Sequence, residues 1–507
     1  MERNLHWLGL DWQDTRKIPA EHQEQTQWPR PFWAPPTQTQ SLPSVPPLLP
    51  CCAPSPDHSK SNACHLQERD RDRTMDISEL HTCTFLAGMN MTILDKGMSV
   101  QQFVKQKSIS NSASGNEDAF YVADLGDIIK KYWQFSKGLP RVKPFYAMKC
   151  NSTRAVLQML AFLGTGFACC SMAELDMVLR MGVPAADIVF VNPCKQVSHI
   201  RYAAEYGVRK MTFDCESELL KLAASYPQAE MILQIVTDNK EPWHTLSGIC
   251  GVYISECENL LKKAKSLNMD VFGVSFHTGS RCKDTHSFHK AIEDARKVFD
   301  IGKNLGHQMR LLDIGGGFPG DSESRPTFEK FAEVIRISLD QSFPCNEDVQ
   351  IIAEPGRFYV TSAFTAALNI VTKKVVTKKD GEERRQFSYV LNDGIFGSFF
   401  LNYMQMEETW PVVGKDFDTA QELFPSILWG PTCASEDKIV KDIDLPELEM
   451  GDWIIFPNMG AYSMSMTSNF NAFSTPKIYF VFTRKMWTVG QILKKEKLLQ
   501  NHPQNNL

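Results

Sequence analysis

The chain has 507 residues, 43% of them apolar and 22% charged, with a formal net charge of −5. That balance supports a sizeable core and more than one domain, and gives no reason to expect nucleic acid or an anionic membrane surface as a partner. No apolar run approaches the length that spans a bilayer. The first residues lack a basic start followed by an apolar core, and the fourteen cysteines show neither a CxxC nor a zinc spacing, so a cytoplasmic protein with reduced thiols and no metal is expected.

Residues 1–75 read as a disordered, Pro-rich extension. Eleven of the 28 prolines precede residue 61, set among Gln, Thr and Ser, and such a segment buries too little apolar surface to order itself. Residues 84–118 are expected to add a strand or two to a later β domain. Phe120–Leu125 (FYVADL) reads as a strand entering the main domain. Eight apolar extended runs follow, at Pro144–Met148, Gly166–Cys169, Ile188–Val191, Lys210–Phe213, Met231–Ile235, Val271–Phe276, Leu311–Ile314 and Gln350–Ala353. Helical patterns such as Ser255–Ser266, His286–Leu305 and Thr327–Leu339 lie between them. This alternation predicts a (β/α)₈ barrel over 119–356, with an open doubly wound sheet as the competitor. From 357 to 490 the runs are β-rich, with Pro, Gly and Asp turns, and predict a second, mostly β domain.

Lys149 ends the first barrel run, in PFYAMKCN, with Asn151 as the expected N-cap of the next helix. Taken alone it reads as a surface lysine; at a strand C-terminus of a barrel it stands where such folds place chemistry, and a partly desolvated lysine there can hold a carbonyl cofactor. DIGGGFPG ends the seventh strand, and Gly315, Gly316 and Gly317 let backbone N–H groups approach an anion. AEPGRFYV follows the eighth strand, bringing Gly356 and Arg357 to the usual phosphate position of the fold. Glu354 beside a phosphate needs something cationic between, and a protonated pyridine nitrogen answers that need. SFHTGS presents His277 for stacking on a planar ring and Ser280 for a phosphate bond. WGPTCASED presents Cys433, and NMGAY presents Tyr462, from the β domain. A lysine, a phosphate cradle, an acid for a ring nitrogen and a stacking histidine together describe a pyridoxal 5'-phosphate site.

AFYVADLGDI, PFYAMKCN, NPCKQVS, GVSFH, DIGGGFPG, AEPGR, WGPTC, GDW and NMGAY in combination resemble the ornithine decarboxylase family, which includes the catalytically inactive antizyme inhibitors. The resemblance covers about residues 85 to 487. It implies an alanine racemase-like barrel plus a β domain, and a head-to-tail homodimer with shared active sites. It implies that Lys149 carries the cofactor, that His277 stacks on its ring and that Glu354 holds the ring nitrogen. Ser280, Gly315, Gly316, Gly317, Gly356, Arg357 and Tyr462 would line the phosphate. Cys433 would arrive from the partner subunit and protonate the carbanion left by CO₂.

Departures from the family pattern bear on substrate. Active ornithine decarboxylases follow the cysteine with aspartate; here Ala434 follows Cys433. A second aspartate that holds the distal ammonium is replaced at or near Gln405, with Met404 before it. Ala434, Met404 and Phe470 would form an apolar pocket, as in the leucine decarboxylase-like branch, so leucine is the expected substrate. Ornithine or lysine would require an acid such as Glu407 or Glu408. Ala168 and Gln234 resemble the inhibitors, whereas Lys149, Arg357, Cys433 and Tyr462 are retained. Ile249 stands where the family has an interface lysine, with Asp437 at its partner's position. The competing reading is a non-catalytic regulator that binds antizyme through the basic segment Arg201–Lys221, which carries Arg209 and Lys210 as well.

Overall fold

A computed structural model describes residues 90–237, 250–377, 385–404, 409–415 and 421–500. The Pro-rich stretch 1–75, Ile249, Gln405, Glu407 and Glu408 lie outside them. No helix of the described residues is long and apolar enough to cross a membrane.

Two short strands open the described chain, β1 (Met91–Leu94) and β2 (Phe120–Asp124). Eight parallel strands then close into a barrel: β3 (Val142–Ala147), β4 (Gly166–Cys169), β5 (Ile188–Phe190), β6 (Lys210–Phe213), β7 (Glu230–Ile235), β8 (Val271–Phe276), β9 (Leu311–Asp313) and β10 (Gln350–Ala353). All eight coincide with the apolar runs of the sequence, because strands buried on both faces are apolar throughout. Closure pairs Ile351 with Val142 and Ala353 with Pro144.

The barrel is filled, not hollow. Phe145, Ala168, Val189, Ile232, Leu311 and Ile352 form its interior cluster. Gly166 makes room for Phe145, since a Cβ there would lie 2.5 Å from the ring. A larger cluster joins the outer strand faces to the surrounding helices. Burial on this scale supplies the main stabilising free energy, at about 25 cal/mol per Å² of apolar surface.

The remaining strands form a nine-stranded sheet. They are β11 (Phe364–Thr377), β12 (Arg385–Leu391), β13 (Val412–Val413), β14 (Leu423–Trp429), β15 (Lys438–Pro446), β16 (Trp453–Phe456) and β17 (Lys477–Thr483), together with β1 and β2. Phe120–Asp124 therefore belongs to this sheet and not to the barrel: β2 lies between β17, parallel, and β11, antiparallel. All five of its residues are buried, and a strand buried on both faces reads alike at the centre of a sheet or in a barrel wall.

The sheet is tied to the barrel mouth at the loop Asn458–Tyr462. Tyr462 N–H donates to Cys150 O at 2.9 Å, while Met459 N–H, donating to Phe364 O of β11 at 2.9 Å, holds the loop to the sheet. Asn151 fastens the same seam. Its Nδ2 donates to Gly460 O at 2.8 Å, its Oδ1 accepts from Thr153 N–H at 3.0 Å, and Tyr146 OH donates to its carbonyl at 2.9 Å. The helix after it starts at Arg154 with Thr153 as the cap residue, so Asn151 makes a turn before the helix and is not its N-cap. An Asn151→Ala variant loses two buried side-chain bonds. Its unfolding free energy is expected to fall by about 2–3 kcal/mol, seen as a lower urea midpoint; an unchanged midpoint would refute the role.

Candidate active site

β3 ends at Ala147 and continues into a single 3₁₀ turn, Met148–Cys150. Met148 and Cys150 are buried while Lys149 between them reaches solvent. Lys149 is nonetheless surrounded by protein. Burial lowers its pKa more than any other single influence raises it, yet the acidic groups around it, Tyr462, Cys170, Glu354 and Glu174, together leave it above the ordinary lysine value; the phenol and the thiol are themselves raised and neutral at physiological pH. A side chain both accessible and enclosed lies in a recess, the situation of a ligand-binding group. As an ammonium among acids, Lys149 has to give up its proton before its Nζ can attack a carbonyl carbon.

The glycine loop follows β9. Gly315 has φ +62° and Gly317 φ +115°, conformations that favour glycine. A Cβ at Gly315 would lie 2.1 Å from Phe276 O, and one at Gly317 would lie 2.4 Å from Thr278 Oγ1. Gly316 has its own constraint, since a Cβ there would meet Glu354 O and His277 Nε2, both at 2.9 Å. Gly356 packs where a Cβ would lie 2.9 Å from that of Cys150. Arg357 is buried, its Nε donates to Ser280 Oγ at 3.3 Å, and its guanidinium lies 5.2 Å from the Tyr462 ring centroid. Tyr462 adopts φ +57°, a costly backbone for a tyrosine that clusters at functional sites. Burial, then the neighbouring Cys150, push its phenol up to about 12. Ser280 and Tyr462 are thus gathered around one buried cation, Arg357, and Gly315–Gly317 crowd against the Phe276–Gly279 segment that leads to Ser280.

His277 lies on the same rim, next to Gly316. Its Nδ1 accepts from Gly279 N–H at 2.9 Å, which leaves the proton of the neutral ring on Nε2. Burial, and after it the Lys149 charge, push its pKa down to about 3, so the ring is neutral at physiological pH and presents a flat apolar face. Glu354 is 7% exposed. Burial raises its pKa, against the opposing pull of Lys149 and of a bond from Asp313.

Three residues of this site carry no conspicuous sequence signal. Cys170, just after β4, and Glu174, in the first turn of the helix Met172–Arg180, face Lys149. Glu174 Oε2 accepts from Cys170 N–H at 2.5 Å, and Ser171 Oγ accepts from Glu174 N–H at 3.2 Å, so Glu174 looks like an ordinary helix-capping glutamate. Asp313 opens DIGGGFPG, a motif whose glycines draw the eye first.

The Cys433 loop forms a separate group. Cys433 is exposed. Thr432, next to it, shares a small cleft with Phe396 and Phe470, whose rings stack at 4.5 Å. Phe470 and Met404 are both exposed. No contact among the described residues joins this group to Lys149. Asp437 is 0% exposed within one chain and joins its own turn to the loop after β12. Its Oδ1 accepts from Ile395 N–H at 2.9 Å, and its Oδ2 accepts from Thr432 N–H at 3.0 Å and Thr432 Oγ1 at 2.6 Å. The contribution of position 437 is to hold the turn, because a buried carboxylate is stable only where its oxygens are bonded.

Comparison with known proteins agrees with this geometry. The family profile "Pyridoxal-dependent decarboxylase, pyridoxal binding domain" matches residues 125–361. Ornithine decarboxylase of Mus musculus is 46% identical over 417 residues, covering 81% of this chain and 89% of that protein. Antizyme inhibitor 2 of Xenopus laevis is 44% identical over 416 residues, covering 81% and 91%. Among solved structures, the Paramecium bursaria Chlorella virus arginine decarboxylase bound to agmatine superposes with a TM-score of 0.70 at 30% identity, over 75% of this chain and 100% of that one. The recessed lysine, the glycine cradle with its buried arginine, the neutral histidine and the buried acid fit pyridoxal phosphate.

The state of His277 sets an acid sensitivity. Its folded pKa lies below the unfolded value near 6.5, so the unfolded chain binds more protons at pH between the two, and stability is lost as pH falls from 6.5 toward 3. Cofactor-free protein is expected to lose about 2 kcal/mol from this group between pH 6.5 and 5, and a His277→Asn variant to lose correspondingly less. Thermal melts of both proteins across that range check it, and identical pH profiles would contradict the assignment.

Proposed function

The chain belongs to the pyridoxal-dependent decarboxylase family that holds the ornithine decarboxylases and antizyme inhibitors, and on that premise we propose that it removes CO₂ from an apolar L-amino acid, leucine before others. Its cofactor is pyridoxal phosphate. When bound, that group supplies an electron sink for the carbanion left at Cα. Lys149 holds it covalently through Nζ. Gly315, Gly316, Gly317, Gly356, Arg357, Ser280 and Tyr462 hold its phosphate, with Arg357 as the fixed cation. Glu354 bonds the ring nitrogen and keeps it protonated. His277, neutral, covers one ring face and excludes water. Cys433 returns the proton to Cα. No contact among the described residues joins it to the Lys149 group of its own chain, which supports a second copy of the chain as its source, and a homodimer as the working form.

The substrate choice rests on one observation. The loop that carries Cys433 offers no free buried acid to a substrate tip: Ala434 follows the cysteine, and Asp437 is closed off by Thr432 and Ile395. An aliphatic ammonium buried there without a carboxylate would cost several kcal/mol. Ala434, Phe470 and Met404 suit a branched aliphatic group, with Gln405 beside them in sequence. CO₂ release from leucine, with far less from ornithine or lysine, is the expected assay result, and release from ornithine alone would sink the reading. Ala434→Asp is expected to shift preference from leucine toward ornithine by about tenfold or more, the order that a paired charge contributes. Lys149→Ala is expected to abolish turnover.

A second reading is favoured by the antizyme inhibitor relatives, and concerns partners rather than chemistry. Of the basic residues in Arg201–Lys221, Lys221 is held by Glu218 at 2.5 Å, Arg209 pairs with Glu230 at 3.2 Å and Lys210 donates to Ala186 O at 2.7 Å. Arg201 is exposed on the helix Val197–Glu205, beside the stacked Tyr202 and Tyr206. Capture by antizyme, if it uses this surface, is expected to weaken on Arg201→Glu. Undiminished capture would exclude the helix.

A further inference from the structure

Behind Glu354 lies a second buried carboxyl for which the chemistry above has no task. Asp313 closes β9 and is 0% exposed. Its Oδ1 accepts from Gly315 N–H at 2.9 Å. Its Oδ2 is fully buried and has no hydrogen-bond partner of ordinary geometry; the group it interacts with is the carboxyl of Glu354. The ladder fixes this juxtaposition, because Ile314 N–H donates to Ile352 O at 2.9 Å and Glu354 N–H donates to Gly315 O at 2.7 Å.

Two facing carboxyls in a dry site cannot both ionise, so one proton serves the pair. The surroundings decide which of them holds it. Glu354 feels the Lys149 ammonium, whereas no cation acts on Asp313. The other titratable groups near the pair are the Cys170 thiol, which faces Glu354, and the neutral His277 beside Gly316. Burial and then Glu354 push the Asp313 carboxyl well above the usual range, and burial raises Glu354 against the pull of Lys149. With a cation beside Glu354 and none on Asp313, the charge of the pair belongs on Glu354 and its proton on Asp313.

We propose that Asp313 is a positioning residue. It carries the single proton of the pair and donates it to Glu354, locking that carboxylate toward the ring nitrogen of the cofactor. The proposal rests on the reading of Glu354 as the ring-nitrogen partner. Asparagine has the shape of a protonated aspartic acid: Oδ1 can keep the Gly315 bond and Nδ2 can replace the donated proton.

The experiment is titration of cofactor-free protein with pyridoxal phosphate, followed by the visible absorption band and by tryptophan quenching, with no substrate present. It compares the wild type with D313N, D313L, E354Q and D313L/E354Q. D313N is expected within about threefold of the wild-type Kd and D313L to be weaker by about tenfold or more, while in the E354Q background D313L adds less than about twofold, the non-additivity of two residues acting as a unit. D313N as weak as D313L would overturn the proposal, and so would a D313L loss undiminished in the E354Q background. Should D313L not fold, D313N decides alone: a uniform loss of affinity from pH 6 to 9 would mean an ionised Asp313 and refute it. Folded wild type that takes up no cofactor would instead overturn the site reading, and E354Q equal to wild type would overturn the role of Glu354.

Discussion

The site depends on how the barrel closes. β10 returns to lie beside β3, and Ala147 N–H donates to Pro355 O at 3.3 Å just past the last paired residues. This contact brings the lysine of the first barrel strand, the acid of the last, and the Gly356–Arg357 turn onto one stretch of rim. Residues 149 and 354 are more than two hundred positions apart in the chain, yet their charges act directly on one another. A parallel barrel makes this possible because all its strand C-termini face the same way, so loops from β3, β4, β8, β9 and β10 converge. The sheet is then seated on the rim through Tyr462, whose backbone hydrogen bond to Cys150 O spans the two layers.

Much of this was legible beforehand, for definite physical reasons. A strand buried on both faces must be apolar throughout, so the eight barrel strands stood out as eight runs. Three adjacent glycines at a strand end stand out in a sequence, and the distances at Gly315 and Gly317 show that a side chain there would meet Phe276 O and Thr278 of the neighbouring strand end. β2 was misassigned because burial on both faces does not distinguish a barrel wall from the middle of a sheet. The bonds of Asp437 were not legible, because nothing in a Ser-Glu-Asp-Lys run indicates what its carboxylate meets. Only the fold shows that Thr432 and Ile395 enclose it. Asp313 and Glu174 were missed for the opposite reason: each sits in a motif whose more obvious members already accounted for the pattern.

The electrostatics of the rim follow one logic. Lys149 is the cation that the carboxyls of Glu354 and Glu174 require, and those carboxyls favour its charged form. His277 is kept neutral by burial and by that same lysine. Each group thus sets the protonation of its neighbours. The network makes sense as a preformed receptacle for a zwitterionic ligand with an anionic phosphate at one end and a protonated nitrogen at the other.

The clasp around Asp437 has an evolutionary consequence. Its side-chain bonds run from Asp437 to Thr432 and to Ile395, and position 434 takes part only through its backbone, with Asp437 N–H donating to Ala434 O at 3.1 Å and Ala434 N–H to Thr432 Oγ1 at 3.3 Å. The turn that presents Cys433 therefore folds without reference to the side chain at 434, which is free to drift. A lineage could exchange alanine for aspartate there in one mutational step, leaving the thiol in place while changing what the neighbouring surface tolerates. A self-contained clasp of this kind separates the part of the loop that selection must preserve from the part with which it can experiment.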